Sequence, residues 1–259
     1  MTDGVNPMAA RGFGAAAGAY DEARPTWPLE AIDAAFATWD LDPAAGLVVD
    51  VAAGTGRLTE CLSHRCPHLL AVEPLDEMRA LIGSAAAVAG TAERLPLDAG
   101  SATAIFVGEA FHWFDQPAAL REFARVLAPG GGLAILWNHP LGDVSEQPWR
   151  AEVGELLLPI YSHPRGRGLG DPDPRDTPEW QAGPGWEPFA SIEYREVEHA
   201  QPLTRAGFVT LVSSWSFVAA LAEPERTSLL DRVDAILADH GVESFEQRWR
   251  CDVHLTRRV

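Results

Sequence analysis

The part of this 259-residue chain best suited to chemistry is a loop of small residues headed by one acid and followed at a distance by another. Asp50-Val51-Ala52-Ala53-Gly54-Thr55-Gly56 supplies the loop. Glycines there let the backbone turn sharply and let a ligand approach with no Cβ in the way. Glu73 comes 17 residues after Gly56 and ends the next apolar run. A carboxylate at that place accepts hydrogen bonds from both hydroxyls of a ribose. The glycine spacing also separates ligand classes. A dinucleotide fingerprint requires a third glycine, for close packing of helix on strand. Counted from Gly54, that place holds Thr59, which argues against an NAD-linked oxidoreductase without removing it as a rival.

The surrounding elements must hold these residues in place. Leu47-Val48-Val49-Asp50-Val51 is a short apolar run of the kind buried on both faces of a sheet. Further strands are predicted at residues 69–72, 87–89, 102–107, 133–137, 191–197 and 247–256. Helices are predicted at 20–39, interrupted by Pro25 and Pro28, and at 57–64, 75–84, 118–127, 208–221 and 225–240. Strands alternating with helices imply a parallel, doubly wound α/β sheet, although the pattern does not show the strand order. Residues 138–188 differ in character, with many Pro and Gly and with Trp149, Tyr161, Trp180 and Trp186. A long irregular stretch in a compact domain is usually functional or mobile, and this one reads as a cap over the substrate pocket. The whole chain, 1–259, is expected to form one domain. Its cofactor-binding core would be 20–137, its cap 138–190 and the rest of the sheet 191–259.

Five segments, in order, carry a resemblance. The loop at 50–56 is similar to the Asp-x-Gly-x-Gly-x-Gly loop of class I S-adenosylmethionine-dependent methyltransferases, with Ala52 in place of the first glycine. Ala71-Val72-Glu73-Pro74 with Met78, Gly90-Thr91-Ala92-Glu93-Arg94-Leu95-Pro96-Leu97, Phe111-His112-Trp113-Phe114-Asp115, and Arg125-Val126-Leu127-Ala128-Pro129-Gly130-Gly131 resemble further motifs of that family. The similarity is to its small-molecule branch and covers roughly residues 13–137. It implies a Rossmann-like sheet of seven strands, the last antiparallel and inserted between the fifth and sixth. It also implies S-adenosylmethionine as cofactor, with roles by position. Asp50 would orient the loop near the methionine amino group, Ala52, Gly54 and Gly56 would give close backbone approach, and Glu73 would hold the ribose. Pro74 or Leu75 would pack on the adenine, while Thr91, Ala92 and Glu93 would form the adenine-contacting segment. Ala52 is read as a mild departure, since alanine still fits a tight turn. Tyr20 and Arg24, in a segment resembling one that closes over the cofactor, would contact its carboxylate end, the plain alternative being a packing Tyr and a solvent-facing Arg.

Methyl transfer from a sulfonium is an in-line displacement for which alignment supplies much of the rate. A general base helps when the acceptor must lose a proton. His112, just past the fourth strand, is the leading candidate for that base, and Glu109 on the same turn is a candidate catalytic residue that would face the cofactor's methionine end or the acceptor. His139 and His163 are weaker ones. Each has a plain alternative, packing or surface, as do the tryptophans, of which one or two are expected to line the pocket.

Composition narrows the rest. The net charge is −17, from 20 basic and 37 acidic residues, so nucleic acid and acidic membrane surfaces are poor partners and a small molecule is favoured. Every basic residue is Arg, which removes lysine Schiff-base chemistry. Three cysteines without C-x-x-C spacing suggest a reducing cytoplasm and no zinc site. No acid–histidine cluster has metal-ligand spacing, no signal peptide or membrane anchor is expected, and oligomeric state is not legible. No Gly-x-Ser-x-Gly elbow supports a hydrolase. The reading is methylation of an O, N or C nucleophile, with a non-methylating S-adenosylmethionine-binding protein as the alternative.

Overall fold

The computed structural model describes residues 24–142, 147–160 and 183–259. Seven strands form one sheet in the order β3-β2-β1-β4-β5-β7-β6. They are β1 (Leu47–Val51), β2 (Leu69–Val72), β3 (Ala86–Val88), β4 (Ala102–Gly108), β5 (Leu127–Leu141), β6 (Glu193–Thr204) and β7 (Ser244–Arg257). The neighbours of β1 and β4 run parallel, while β7 is antiparallel to both β5 and β6. This is the Rossmann-like arrangement that the resemblance implies, with the last strand between the fifth and sixth.

Helix α1 (Leu29–Trp39) buries Ala31, Ile32, Ala35, Phe36 and Trp39, an apolar stripe at helical spacing. It stops at Asp40, whose left-handed backbone turns its amide onto Ala37 and Phe36. The sequence pattern predicts a helical stretch over 20–39 interrupted by Pro25 and Pro28. Residues 25–28 are non-helical, because Pro25 and Pro28 lack the amide a helix needs and disfavour helical backbone before them. Trp39 packs edge-on against Phe36 and Phe106, and the stripe lies over β5, where Gly132 leaves room for the indole. Helix α2 (Arg57–Ser63) follows the glycine loop, and α3 (Asp76–Arg79) is a single turn where the pattern predicts a longer helix. Helix α4 (Gln116–Val126) starts at Asp115, whose carboxylate accepts from the Ala118 amide.

Two apolar clusters sandwich the sheet, one under α4 and one under α1 and α2. A third lies apart. Helices α5 (Trp149–Leu157), α6 (Arg205–Ser213), α7 (Ser216–Ala219) and α8 (Glu223–Asp239) gather Trp149, Val153, Phe208, Leu211, Val218, Val233 and Leu237 around Leu203 and Trp249. Its platform is an overhang. β5 pairs with β4 only as far as Leu136, then continues to Leu141 along β7. Those extra five residues, at roughly 3.3 Å each, carry β5 about 16 Å past the carboxyl end of β4.

The overhang corrects the reading of residues 138–188 as irregular. Residues 138–141 are strand and Trp149–Leu157 is helix, while residues 161–182 lie outside the described residues. Most of the helical mass beyond the strands comes from residues 205–239, between β6 and β7. The predicted helix at 208–221 is divided at Ser214, whose hydroxyl donates to Leu211 O at 2.6 Å. Among the described residues no helix is long and apolar enough to cross a membrane.

Candidate active site

At the carboxyl edge of β1 the chain passes from Asp50 into the glycine loop. Ala52 has φ 56°, in the left-handed region, as do Gly54 at 59° and Gly56 at 94°. The alanine is therefore a strained residue in a place built for glycine, at a cost of about 1–2 kcal/mol, and not the mild departure expected. Gly54 faces open space: a Cβ built there would meet nothing within 4 Å. At Gly56, the N-cap of α2, a Cβ would press on Ile82 at 3.1 Å.

Asp50 is buried under this loop. Its Oδ2 accepts from the Thr59 hydroxyl at 2.6 Å, which ties β1 to the first turns of α2. Thr59, the residue that argued against a dinucleotide, is thus the aspartate's partner. Oδ1 is buried with no hydrogen-bond partner among the described residues. Burial, opposed by the Thr59 bond and aided by the nearby Glu73 charge, pushes the Asp50 carboxyl up to about 7.

Glu73, buried at the end of β2, receives the Gly54 amide on Oε2 and the Leu75 amide on Oε1, each at 2.9 Å. Burial raises its carboxyl, and the two amides oppose the rise. A carboxylate oxygen has two lone-pair sites, so each still has room for a ligand donor. Arg79 bonds the Glu73 carbonyl at 2.7 Å and touches that of Pro74. Thr91 and Arg94 close a tight turn by paired backbone bonds, with Ala92 buried inside it. Glu93 accepts the Asp115 amide at 3.0 Å and so joins this turn to the segment after β4.

That segment begins at Glu109, a second strained residue, with φ 53°. Its amide bonds Leu136 O at 3.0 Å and its Oε1 accepts the Asn138 amide at 2.6 Å. Burial raises the Glu109 carboxyl, against the Asn138 bond and the charges of Arg24 and His139. His112 sits on a 3₁₀ turn (Phe111–Trp113) with its ring 4.8 Å from that of Trp113, in the packed arrangement weighed against its role as base. Arg24 donates to Ser214 twice, Nε to Oγ at 3.1 Å and Nη2 to the carbonyl at 2.9 Å, and its own carbonyl accepts from Arg57. It thereby joins the N-terminal segment to the helical cluster. Tyr20, and with it His163 and Trp180, lies outside the described residues.

The strand ends bring together Asp50, Ala52, Gly54, Glu73, Glu109 and the 91–94 turn along one edge. Two of the tryptophans offered for the pocket belong to cores instead: Trp149 to the helical cluster, Trp186 against Phe111 and Phe189. At the overhang His139, one of the weaker base candidates, meets an acid that sequence reasoning missed. His139 Nε2 stands 3.1 Å from Asp252 Oδ2, close enough for an ion pair though off the line of a good hydrogen bond. Oδ1 of Asp252 accepts from Tyr194 at 2.8 Å and Arg250 at 2.7 Å. The available signal was the alternation of Arg250, Asp252, His254 and Thr256 with Cys251, Val253 and Leu255, which puts polar groups on one face of a buried strand.

Sheet order and glycine loop define the class: a Rossmann-like fold with a nucleotide-type edge and no dinucleotide fingerprint. The chain belongs to the class I S-adenosylmethionine-dependent methyltransferases. The methyltransferase-domain family matches residues 49–135. A Mycobacterium tuberculosis protein described as an uncharacterized methyltransferase is 40% identical over 237 residues, covering 88% of this chain and 86% of its own. A methyltransferase-like protein of Schizosaccharomyces pombe is 29% identical over 223 residues, 84% and 82% of the two chains. A solved structure described as a type II methyltransferase, from Anaeromyxobacter dehalogenans, superposes with TM-score 0.63 at 21% identity, over 90% of this chain and 97% of that one. It supports the fold.

Proposed function

We propose that this enzyme transfers a methyl group from S-adenosylmethionine to an O, N or C nucleophile of a small molecule held between the glycine-loop edge and the helical cluster. The observation that carries the reading is the buried Asp50 Oδ1, without a partner among the described residues, beside a cradle at Gly54 that is open among those residues. An ammonium group entering there satisfies the oxygen and favours the ionised carboxyl. Glu73 takes the ribose hydroxyls, the 91–94 turn and Pro74 border the adenine, and the loop glycines admit the backbone-close end. Bound there, the cofactor supplies an electrophilic methyl carbon on a positively charged sulfur. The protein contributes alignment, a water-poor site and charge placement.

The helical cluster, with Trp149–Leu157 from the segment expected to form the cap, covers the pocket within a single domain. The Arg24–Ser214 contacts hold it against the N-terminal segment. A surface of net charge −17 supports a small-molecule acceptor in preference to nucleic acid, and a cytoplasmic setting is consistent with three free cysteines.

Calorimetric titration with S-adenosylmethionine, S-adenosylhomocysteine and NAD in parallel tests the cofactor. Micromolar binding of the two adenosyl ligands with NAD silent is expected, and silence toward both in folded protein overturns the reading. Labelled-methyl transfer to panels of phenols, alcohols and amines, with stoichiometric release of S-adenosylhomocysteine, then tests the acceptor class.

A further inference from the structure

We infer that His139, oriented by the buried Asp252, is the general base of the transfer, and that the acceptor is one whose O–H or N–H proton must leave as the methyl group arrives. The inference rests on the reading above and deepens it. His139 lies where β5 leaves β4 behind, on the sheet face it shares with Trp137 and, across the ladder, with Arg250 and Asp252. Along the carboxyl edge the order is Glu73 on β2, the glycine loop on β1, Glu109 on β4 and His139 on β5. With the ribose at Glu73 and the loop next to it, the reacting end is directed toward β4 and β5.

The carboxylate behind the imidazole is built for orientation. Asp252 has no exposed side-chain surface. Burial would raise its carboxyl, yet contacts from His139, Arg250 and Tyr194 hold it below the ordinary range, so it stays ionised. The negative charge of Asp252, 3.1 Å from Nε2, favours a proton on that nitrogen and leaves Nδ1 as the basic one. Nε2 is buried while 36% of the side chain is exposed, so the accessible edge of the ring is the one away from Asp252. Glu109 holds the amide of Asn138 at 2.6 Å and so fixes the backbone next to His139. Among the described residues, the charged and titratable groups tied to this site include Asp252 and Arg250 on β7, Tyr194 on β6, which bonds Asp252, and Glu109 after β4, which Arg24 also faces.

In the step itself the acceptor's O–H or N–H bond breaks and its proton passes to Nδ1 of His139. The electron pair left on the acceptor forms the bond to the methyl carbon, and the carbon–sulfur pair leaves with the sulfur, which becomes neutral. The resulting imidazolium is stabilised by Asp252. A carboxylate acceptor would need no such base.

The test uses the full chain with S-adenosylmethionine labelled with ¹³C at the methyl group. Nuclear Overhauser contacts from that methyl to His139 ring protons, identified by their loss in His139→Gln, are expected. The ¹⁵N spectrum of the neutral ring is expected to show the Nε2–H tautomer in the wild type and a tautomer mixture in Asp252→Asn. Turnover of the first acceptor found by the labelled-methyl panels is expected to fall about 10²–10⁴-fold in His139→Gln, with S-adenosylmethionine affinity within twofold of wild type. Cofactor binding without methyl contacts, an Nδ1–H tautomer in the wild type, or turnover within threefold in His139→Gln overturns the inference and leaves the cofactor assignment standing. Absence of cofactor binding overturns both.

Discussion

Asp50 departs far from the ordinary behaviour of its side chain. Its carboxyl is raised from 3.8 to about 7, chiefly by burial. Because the folded value lies above the unfolded one, its contribution to stability is full below pH 3.8 and is lost as the pH rises through about 7. The loss is at most about 4 kcal/mol, since each tenfold change in an ionisation equilibrium is worth about 1.4 kcal/mol. Asp50→Asn, which keeps an oxygen for Thr59, is expected to flatten the decline in urea-denaturation stability between pH 5 and 8. An unchanged slope would mean that the decline has another source. At Glu73 the expected result concerns binding: Glu73→Ala stays folded and loses about 10–100-fold in S-adenosylmethionine affinity by calorimetry, the worth of hydrogen bonds to a charged group. Unchanged affinity would end the ribose assignment. Ala52, at φ 56°, gives the opposite kind of prediction. Ala52→Gly relieves left-handed strain and is expected to stabilise the protein by up to about 1 kcal/mol, after the larger unfolded-state entropy of glycine is subtracted.

Among the elements, β5 makes the heaviest demands on sequence. Near its start it must let Trp39 of α1 lie flat, and at its end it must leave β4 and pair with β7 alone. Gly132 meets the first demand, since a Cβ there would stand 2.2 Å from Trp39 Cδ2. Trp39 is itself 1% exposed and wedged against Phe36 and Phe106, so it has nowhere to move. Gly132→Ala is therefore expected to cost about 1–3 kcal/mol or more in denaturant unfolding, the scale of overpacking in a filled core. A loss below half a kcal/mol would show that the indole shifts freely. The short apolar runs of β1, β2 and β4 were legible because both faces are buried and nearly every residue is apolar or small. The extent of β5 was not, because residues 138–141 are Asn, His, Pro and Leu, which carry no strand signal of their own and are ordered by β7.

For the whole molecule, the separate helical cluster has a dynamic consequence. It shares no buried residue with the two clusters that sandwich the sheet. It is joined to the rest chiefly through the strand overhang, with the Arg24–Ser214 contacts beside it. Independent packing of this kind allows opening of one unit without global unfolding. Hydrogen exchange read by mass spectrometry is expected to show α6 and α8 exchanging before β1, β4 and β5. Exchange of both units in one cooperative step would show instead that the overhang couples them fully.

The sequence alone determined the α/β class, the glycine loop with its paired acids, and the family, because these depend on local periodicity and on residues close together in the chain. It also placed the last strand, through the resemblance. It did not reveal that one Asp50 oxygen would lack a partner among the described residues or that Ala52 would adopt a left-handed backbone. Nor did it join His139 to Asp252, which stand more than a hundred residues apart. Those outcomes were decided by tertiary structure, since they depend on which strand ends lie side by side and on which groups burial separates from water.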